Sequence, residues 1–152
     1  MKELIIAKED LLFNLKKIEK RVTKDNYTII AVVKGNGYGL GIVPYTKFLS
    51  EHGIDFFAVA SIEEVIELRN SGITKKLMIL TPFVDKKDVE ILVQNDITLT
   101  IDSYESAKLA NIVAKEQNKT ITAHVKIDTR IITFCISLFR SKTNKQYYKR
   151  MW

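Results

Sequence analysis

The sequence predicts an α/β protein built on a parallel sheet. Short apolar runs alternate with amphipathic segments at a period of twenty-odd residues. The apolar runs are continuous rather than alternating, as in parallel strands covered on both faces. Several amphipathic segments open on residues that cap helices. No residue pattern recurs from unit to unit, so this is not a solenoid repeat. The alternation alone fits an open doubly wound sheet or part of a (β/α)8 barrel. A complete barrel needs roughly 250 residues, and five strands in 152 residues cannot close one.

The elements follow in order. Leu11, Leu15, Ile18 and Val22 recur at helical spacing, so a helix is expected from about Leu11 to Val22, ending at Asp25-Asn26. Thr28 to Val33 reads as the first strand. Pro44 suits a first helical turn, and Tyr45, Phe48 and Leu49 form an apolar stripe up to Gly53. Phe56 to Ala60 is the second strand. Ser61 with Glu64 makes a capping-box pattern for a helix whose expected inner face is Ile62, Val65, Ile66 and Arg69, with Gly72 as its stop. Leu77 to Leu80 is the third strand. Asp85 is placed to cap a helix facing inward through Val89, Leu92 and Val93. Ile97 to Ile101 is the fourth strand. Asp102-Ser103 caps a helix through about Glu116, with Ala107, Ala110 and Ala114 on one side, and Ile121 to Ile127 is the fifth strand.

Composition narrows the function classes. Hydrophobic residues make up 46% of the chain, which argues against general disorder. No apolar run approaches a membrane span, and Met1 to Ile5 is too short a stretch for a signal peptide. A cytoplasmic protein is therefore expected. The single cysteine, Cys135, excludes an internal disulfide framework and any multi-cysteine metal site. His124 has no partner at metal-ligand spacing and reads as a packed strand residue, so no metal is expected. The net charge of +6 is uneven. Residues 1–139 carry 19 basic and 18 acidic side chains, and Arg140, Lys142, Lys145, Lys149 and Arg150 supply the rest. A nearly neutral body with a basic tail does not read as a nucleic-acid surface.

One stretch stands apart: Ala31-Val-Val-Lys34-Gly-Asn36-Gly-Tyr38-Gly-Leu-Gly41. A buried strand ends on one amine and enters a glycine-rich turn. A desolvated lysine loses its proton more easily and becomes a nucleophile toward carbonyls. Gly35, Gly37, Gly39 and Gly41 would leave backbone amides open to a phosphate. The turn matches neither the P-loop nor the dinucleotide fingerprint. From the residues alone, a strand followed by a flexible turn, with Lys34 marking the end of burial, is the favoured reading.

The same stretch resembles the cofactor-lysine motif of alanine racemase, which usually reads Lys-Ala-Asn-Ala-Tyr-Gly-His-Gly. That family depends on pyridoxal phosphate (PLP). The resemblance implies that Lys34 carries the cofactor and acts as a base, and that Tyr38 hydrogen-bonds its phosphate. Gly35 and Gly37 stand where the family has alanine, and Leu40 where it has histidine. The resemblance also decides the fold, a partial (β/α)8 barrel, because the family has an N-terminal barrel and a C-terminal β domain. Lys126-Ile-Asp128-Thr129 is similar to the family's Lys-(Val/Ile)-Asp-Thr-Gly-Met-Gly-Arg. Lys126 would then be the lysine that is carbamylated in many members and orients an arginine beside the cofactor.

The resemblance stops at Thr129. Arg130 to Phe139 replaces the glycines and arginine, and a basic run to Trp152 follows. The expected division is a barrel segment, 1–129, and a divergent tail, 130–152, from a frameshift or truncation or as an authentic interaction tail. By resemblance the parent activity is interconversion of L- and D-alanine by a homodimer, without nucleic acid or membrane. The second base would come from the partner's C-terminal domain, so this chain alone is expected not to racemise alanine. The alternative is a non-catalytic barrel that binds PLP or a partner.

Overall fold

The central strands are buried almost throughout, and membership of one core cluster alternates along them with period two, which sets the architecture. Val33, Phe57, Val59, Leu77, Ile79, Leu99 and Ile101 all belong to one buried cluster. Their neighbours Val32, Ala58, Met78 and Thr100 therefore lie on the opposite face of the sheet. The computed structural model describes residues 5–22, 27–128 and 136–137. It orders the elements as α1 (Lys8–Val22), β1 (Ala31–Val32), α2 (Lys34–Tyr38), α3 (Ile42–Glu51), β2 (Phe56–Val59), α4 (Ile62–Asn70), β3 (Lys76–Ile79), α5 (Lys86–Gln94), β4 (Leu99–Ile101), α6 (Tyr104–Glu116) and β5 (Ala123–Val125). Two further short strands, β6 (Ile127–Asp128) and β7 (Ile136–Ser137), pair in parallel.

The expected parallel, sequential order is borne out. β1, β2 and β3 pair in parallel in that order, as do β4 and β5. A parallel bridge between Met78 and Thr98 joins the two groups. There the Ile79 amide donates to the Thr98 carbonyl at 3.1 Å and the Thr98 amide to the Leu77 carbonyl at 2.8 Å. The sheet also curls. The rings of Phe56 on β2 and His124 on β5 meet edge-on with centroids 6.2 Å apart. Three strand spacings in a flat sheet would separate those strands by about 14 Å. Only a curved sheet with an inner face brings the rings together, which is the geometry of a partial barrel rather than an open sheet. His124 is thus corrected: it is an exposed residue on this inner face, not a packed one.

The outer face is covered by helices. Ile42 and Leu49 from α3, Val65 and Leu68 from α4, Val89, Leu92 and Val93 from α5, and Ala110 and Val113 from α6 complete the buried cluster. Two expected helix faces need correction. In α4 the core takes Val65 and Leu68, while Ile66 remains 38% exposed. The helix is held in this rotation at its end by Arg69. That guanidinium donates to the carbonyls of Ile73 at 2.8 Å, Lys75 at 2.9 Å and Asn95 at 3.2 Å. In α1 only Leu15 is buried, and Ile18 is 52% exposed.

The caps are mixed. Ser103 caps α6 in a reciprocal box with Ser106. Asp85 occupies the N-cap of α5, but its side chain accepts no capping bond. Among the described residues no helix is long and apolar enough to cross a membrane. The expected divergent tail, 130–152, lies outside the described residues apart from Ile136–Ser137.

The rotation of α4 gives a direct test by chemical denaturation. Leu68→Ala should cost about 2–5 kcal/mol of stability, as large-to-small changes at filled core sites do. Ile66→Ala should cost under about 1 kcal/mol. The reverse ranking would restore the face read from the sequence.

Candidate functional site

Parallel strands bring every strand's C-terminal end to one rim, where barrel enzymes place their sites. The Val33 amide donates to the Ala58 carbonyl at 2.8 Å, so the sheet holds the chain up to the residue before Lys34. At the other end of the strand order, the Lys126 amide donates to the Ile101 carbonyl at 2.8 Å, directly after β5. Lys34 and Lys126 therefore share the rim, with the ends of β2, β3 and β4 between them. Lys34 and Tyr38 are brought together on α2, whereas Lys126 lies four strands away. Lys34 is exposed and Lys126 half-buried. Burial does not desolvate Lys34 in this chain, contrary to the expectation for a strand-end amine.

The glycine-rich stretch is one turn of left-handed helix. Gly35, Asn36 and Gly37 have φ of 63°, 53° and 63°, with ψ between 35° and 47°. Tyr38 follows at φ 55° and Gly39 at φ 90°. This conformation costs an L-residue roughly 1–2 kcal/mol because Cβ crowds the next carbonyl. Gly35 and Gly37 carry no such cost, and Asn tolerates the region better than most residues. Asn36 also locks the exit of the turn. Its Oδ1 accepts from the Ile42 amide at 2.9 Å, and its carbonyl accepts from the Gly39 and Gly41 amides at 3.1 and 3.0 Å.

These bonds correct the expectation of amides open to phosphate. The Gly35 amide donates to Glu64 Oε1 at 2.6 Å. The Gly37 amide donates to the Val33 carbonyl at 2.9 Å, and those of Gly39 and Gly41 donate to Asn36. All four glycine amides are engaged inside the protein. A phosphate at this turn would have to be met by side chains, and the Tyr38 hydroxyl is on a residue that is 65% exposed.

Glu64 was visible in the sequence only as half of a capping box. Ser61 Oγ does accept from the Glu64 amide, at 3.3 Å. The Glu64 carboxylate, however, does not return to Ser61. Its Oε2 accepts from the Ala60 amide at 2.9 Å, and its Oε1 accepts from Gly35 and, at 3.3 Å, from Asn36. The partners lie 28 and 29 residues away in sequence, beyond the reach of any local pattern. Leu40, in the histidine position of the motif, has become a packing residue. It lines a hollow of about 130 Å3 with Ile6, Leu11, Pro44 and Phe48.

A cavity of about 410 Å3 opens beyond β3 and β4, lined by Thr81, Phe83, Val84, Asp102 and Leu109 among others. Neither it nor the hollow at Leu40 is lined by Lys34, Tyr38 or Lys126. Among the described residues no three His, Cys, Asp or Glu side chains are grouped to hold a metal.

Residues 6–131 match the family model described as alanine racemase, N-terminal domain. An alanine racemase of Methylacidiphilum infernorum is 38% identical over 119 residues, covering 78% of this chain and 30% of that protein. One from Methanococcus maripaludis is 39% identical over 116 residues, 76% of this chain and 31% of that protein. The chain thus spans about a third or less of the curated relatives it matches. Among solved structures, an alanine racemase of Clostridium difficile 630 superposes with a TM-score of 0.82 at 31% identity, covering 92% of this chain and 36% of that one. A histidine racemase from Leuconostoc mesenteroides, 22% identical with a TM-score of 0.76, shares the fold.

The left-handed turn makes a graded prediction for glycine substitution. A Cβ on Gly35 would meet nothing within 4 Å, so Gly35→Ala should cost only the backbone strain, about 1 kcal/mol. A Cβ on Gly41 would lie 2.9 Å from Pro44 Cγ in a ring that cannot turn aside. Gly41→Ala should therefore cost more, about 2–3 kcal/mol. Equal costs in thermal or denaturant unfolding would contradict the geometry.

Proposed function

This chain belongs to the alanine racemase family, and we propose that it holds PLP through Lys34 as the N-terminal barrel of that family does. The observation that carries the reading is the exposed Lys34 at the C-terminal end of β1, set on a left-handed turn that presents Tyr38 one turn later. The residues present fit the cofactor's two ends. A primary amine without a hydrogen bond or ion pair to any described residue can take its carbonyl carbon, and an exposed phenol can donate to its phosphate. The engaged glycine amides add nothing to phosphate binding, so Tyr38 carries more of that contact. Once bound, PLP supplies the electron sink that makes the α-proton of an amino acid removable.

Lys34 is then both the anchor and one proton carrier. Lys126, half-buried on the same rim, is the candidate for the family's carbamylated lysine, a group that would act by orienting a cation beside the cofactor. Alanine as the substrate and a homodimer as the working form are part of the same proposal. Racemisation requires removal of a proton from one face of the α-carbon and its return on the other, by two bases at hydrogen-bond reach. Lys34 serves one face. Tyr38, committed to phosphate, cannot serve the other.

Two measurements test this reading on the 152-residue chain. Added PLP should give a visible absorption band that borohydride abolishes, with the reduced label on Lys34 and no band in Lys34→Ala. Tyr38→Phe should weaken PLP binding about tenfold, the worth of one hydrogen bond to a charged group. In the second, conversion of L- to D-alanine should not exceed that of free PLP or of Lys34→Ala. Turnover proportional to protein and clearly above both controls would mean that another residue of this chain supplies the second base.

A further inference from the structure

The first two amides of the left-handed turn point the same way, as successive amides in such turns do, and make a small concave site for an anion. In this chain the anion is internal. Glu64 Oε1 sits 2.6 Å from the Gly35 nitrogen and 3.3 Å from that of Asn36, and its Oε2 sits 2.9 Å from the Ala60 nitrogen. Glu64 itself is fixed in the first turn of α4, where its own amide donates to Ser61 Oγ. One carboxylate thus ties the turn to the end of β2.

The position of the tie matters for Lys34. Upstream of Lys34, the Val33 amide is bound to the Ala58 carbonyl at 2.8 Å and Val33 is fully buried. Downstream, the amide of the next peptide is bound to Glu64. The Lys34 Cα is therefore gripped on both sides, by β2 before it and by Glu64 after it, while its side chain is left exposed. With Glu64 removed, nothing among the described residues accepts from the Gly35 amide, and the turn loses its tie to the end of β2 while keeping its internal bonds to Val33 and Asn36.

We propose that Glu64 is a positioning residue for Lys34, holding the left-handed turn so that the lysine amine projects from the rim, and filling the amide pair that would otherwise attract the cofactor's phosphate. It touches neither the amine nor the phosphate in this role. The inference rests on the proposed attachment of PLP to Lys34.

Three variants of the full chain separate the possibilities. Glu64→Ala removes both acceptors. Glu64→Gln keeps one oxygen for Gly35 and Asn36 but turns an NH2 toward the Ala60 amide, which it cannot satisfy. Glu67→Gln, at an exposed position one turn further along α4, serves as a control. Without PLP, backbone amide exchange should be about tenfold or more faster at Gly35 and Asn36 in Glu64→Ala, with exchange at Leu77 and Val89 unchanged. Glu64→Gln should restore protection at Gly35 and Asn36 but not at Ala60. With PLP and borohydride, the fraction of label on Lys34 should fall about tenfold in Glu64→Ala, with the remainder spread over other lysines. In Glu64→Gln it should return to near the original fraction.

Unchanged exchange at Gly35 and Asn36 in Glu64→Ala, or unchanged labelling of Lys34 alongside faster exchange, would overturn the inference. Should Glu64→Ala fail to fold, the glutamine variant decides alone: exchange must be faster at Ala60 and not at Gly35, and any other pattern refutes the tie. Absence of label on Lys34 in the unaltered chain would instead sink the cofactor reading, and the exchange data would still show whether Glu64 holds the turn.

Discussion

Every strand in the described sheet runs the same way, and most of the structure follows from that constraint. A parallel strand can reach its neighbour only by a crossover, and here each crossover is a helix on the outer face. The outer face is therefore dry, and Phe57, Leu77 and Leu99 are fully buried there. The inner face keeps smaller and more polar residues, including Ala58, Thr98 and Thr100. Thr100 satisfies its hydroxyl on the Ile79 carbonyl at 2.6 Å, across the junction between the two strand groups. The same direction of travel places the residues that follow the strands on one rim, so Lys34 and Lys126 need no special device to share it.

The device is needed elsewhere, in the turn after β1. Right-handed helix would carry the chain from Val33 straight into a crossover. Five successive residues with positive φ, Gly35 to Gly39, do something else: they reverse the sense of the backbone for one turn before α3 begins. Such a turn is unfavourable for L-residues and persists only where its surroundings hold it. Asn36 holds it from within and from α3, and Glu64 holds it from β2. The polar groups of the turn are thus spent on its own shape. What remains available at its surface is side-chain chemistry, an amine and a phenol.

Much of the fold was legible because its cause is local. The runs Phe56 to Ala60 and Leu77 to Leu80 are apolar on both faces, and Asp102-Ser103 makes a readable start for α6. The face of α4 was not legible, since Ile62, Val65, Ile66 and Leu68 are all apolar and two rotations fit them almost equally. Long-range packing chose, with Arg69 anchoring the end. The curvature of the sheet was not legible from periodicity either; it is expressed in a contact between Phe56 and His124, from strands that are not neighbours. At the site, the lysine and tyrosine were carried by a motif, and the structure places them. The sequence misled on the glycine amides. Glycine advertises an accessible backbone, but accessibility counts for nothing once Glu64, Val33 and Asn36 have accepted those amides.

The sequential strand order also bears on how such a chain assembles. Ala31 pairs with Phe57, Phe57 with Leu77, Met78 with Thr98 and Leu99 with Ala123, a spacing of 20 to 26 residues each time. No pairing among these strands waits for a distant segment. Each new strand finds its partner in the unit just made, so the loop to be closed stays the same size as the sheet grows. In this respect the curved sheet behaves like a one-dimensional array, with nearest-neighbour interfaces as its unit of cohesion. The Phe56–His124 contact is of another kind: it links units that are not adjacent, and so reports the moment when an array begins to become a ring.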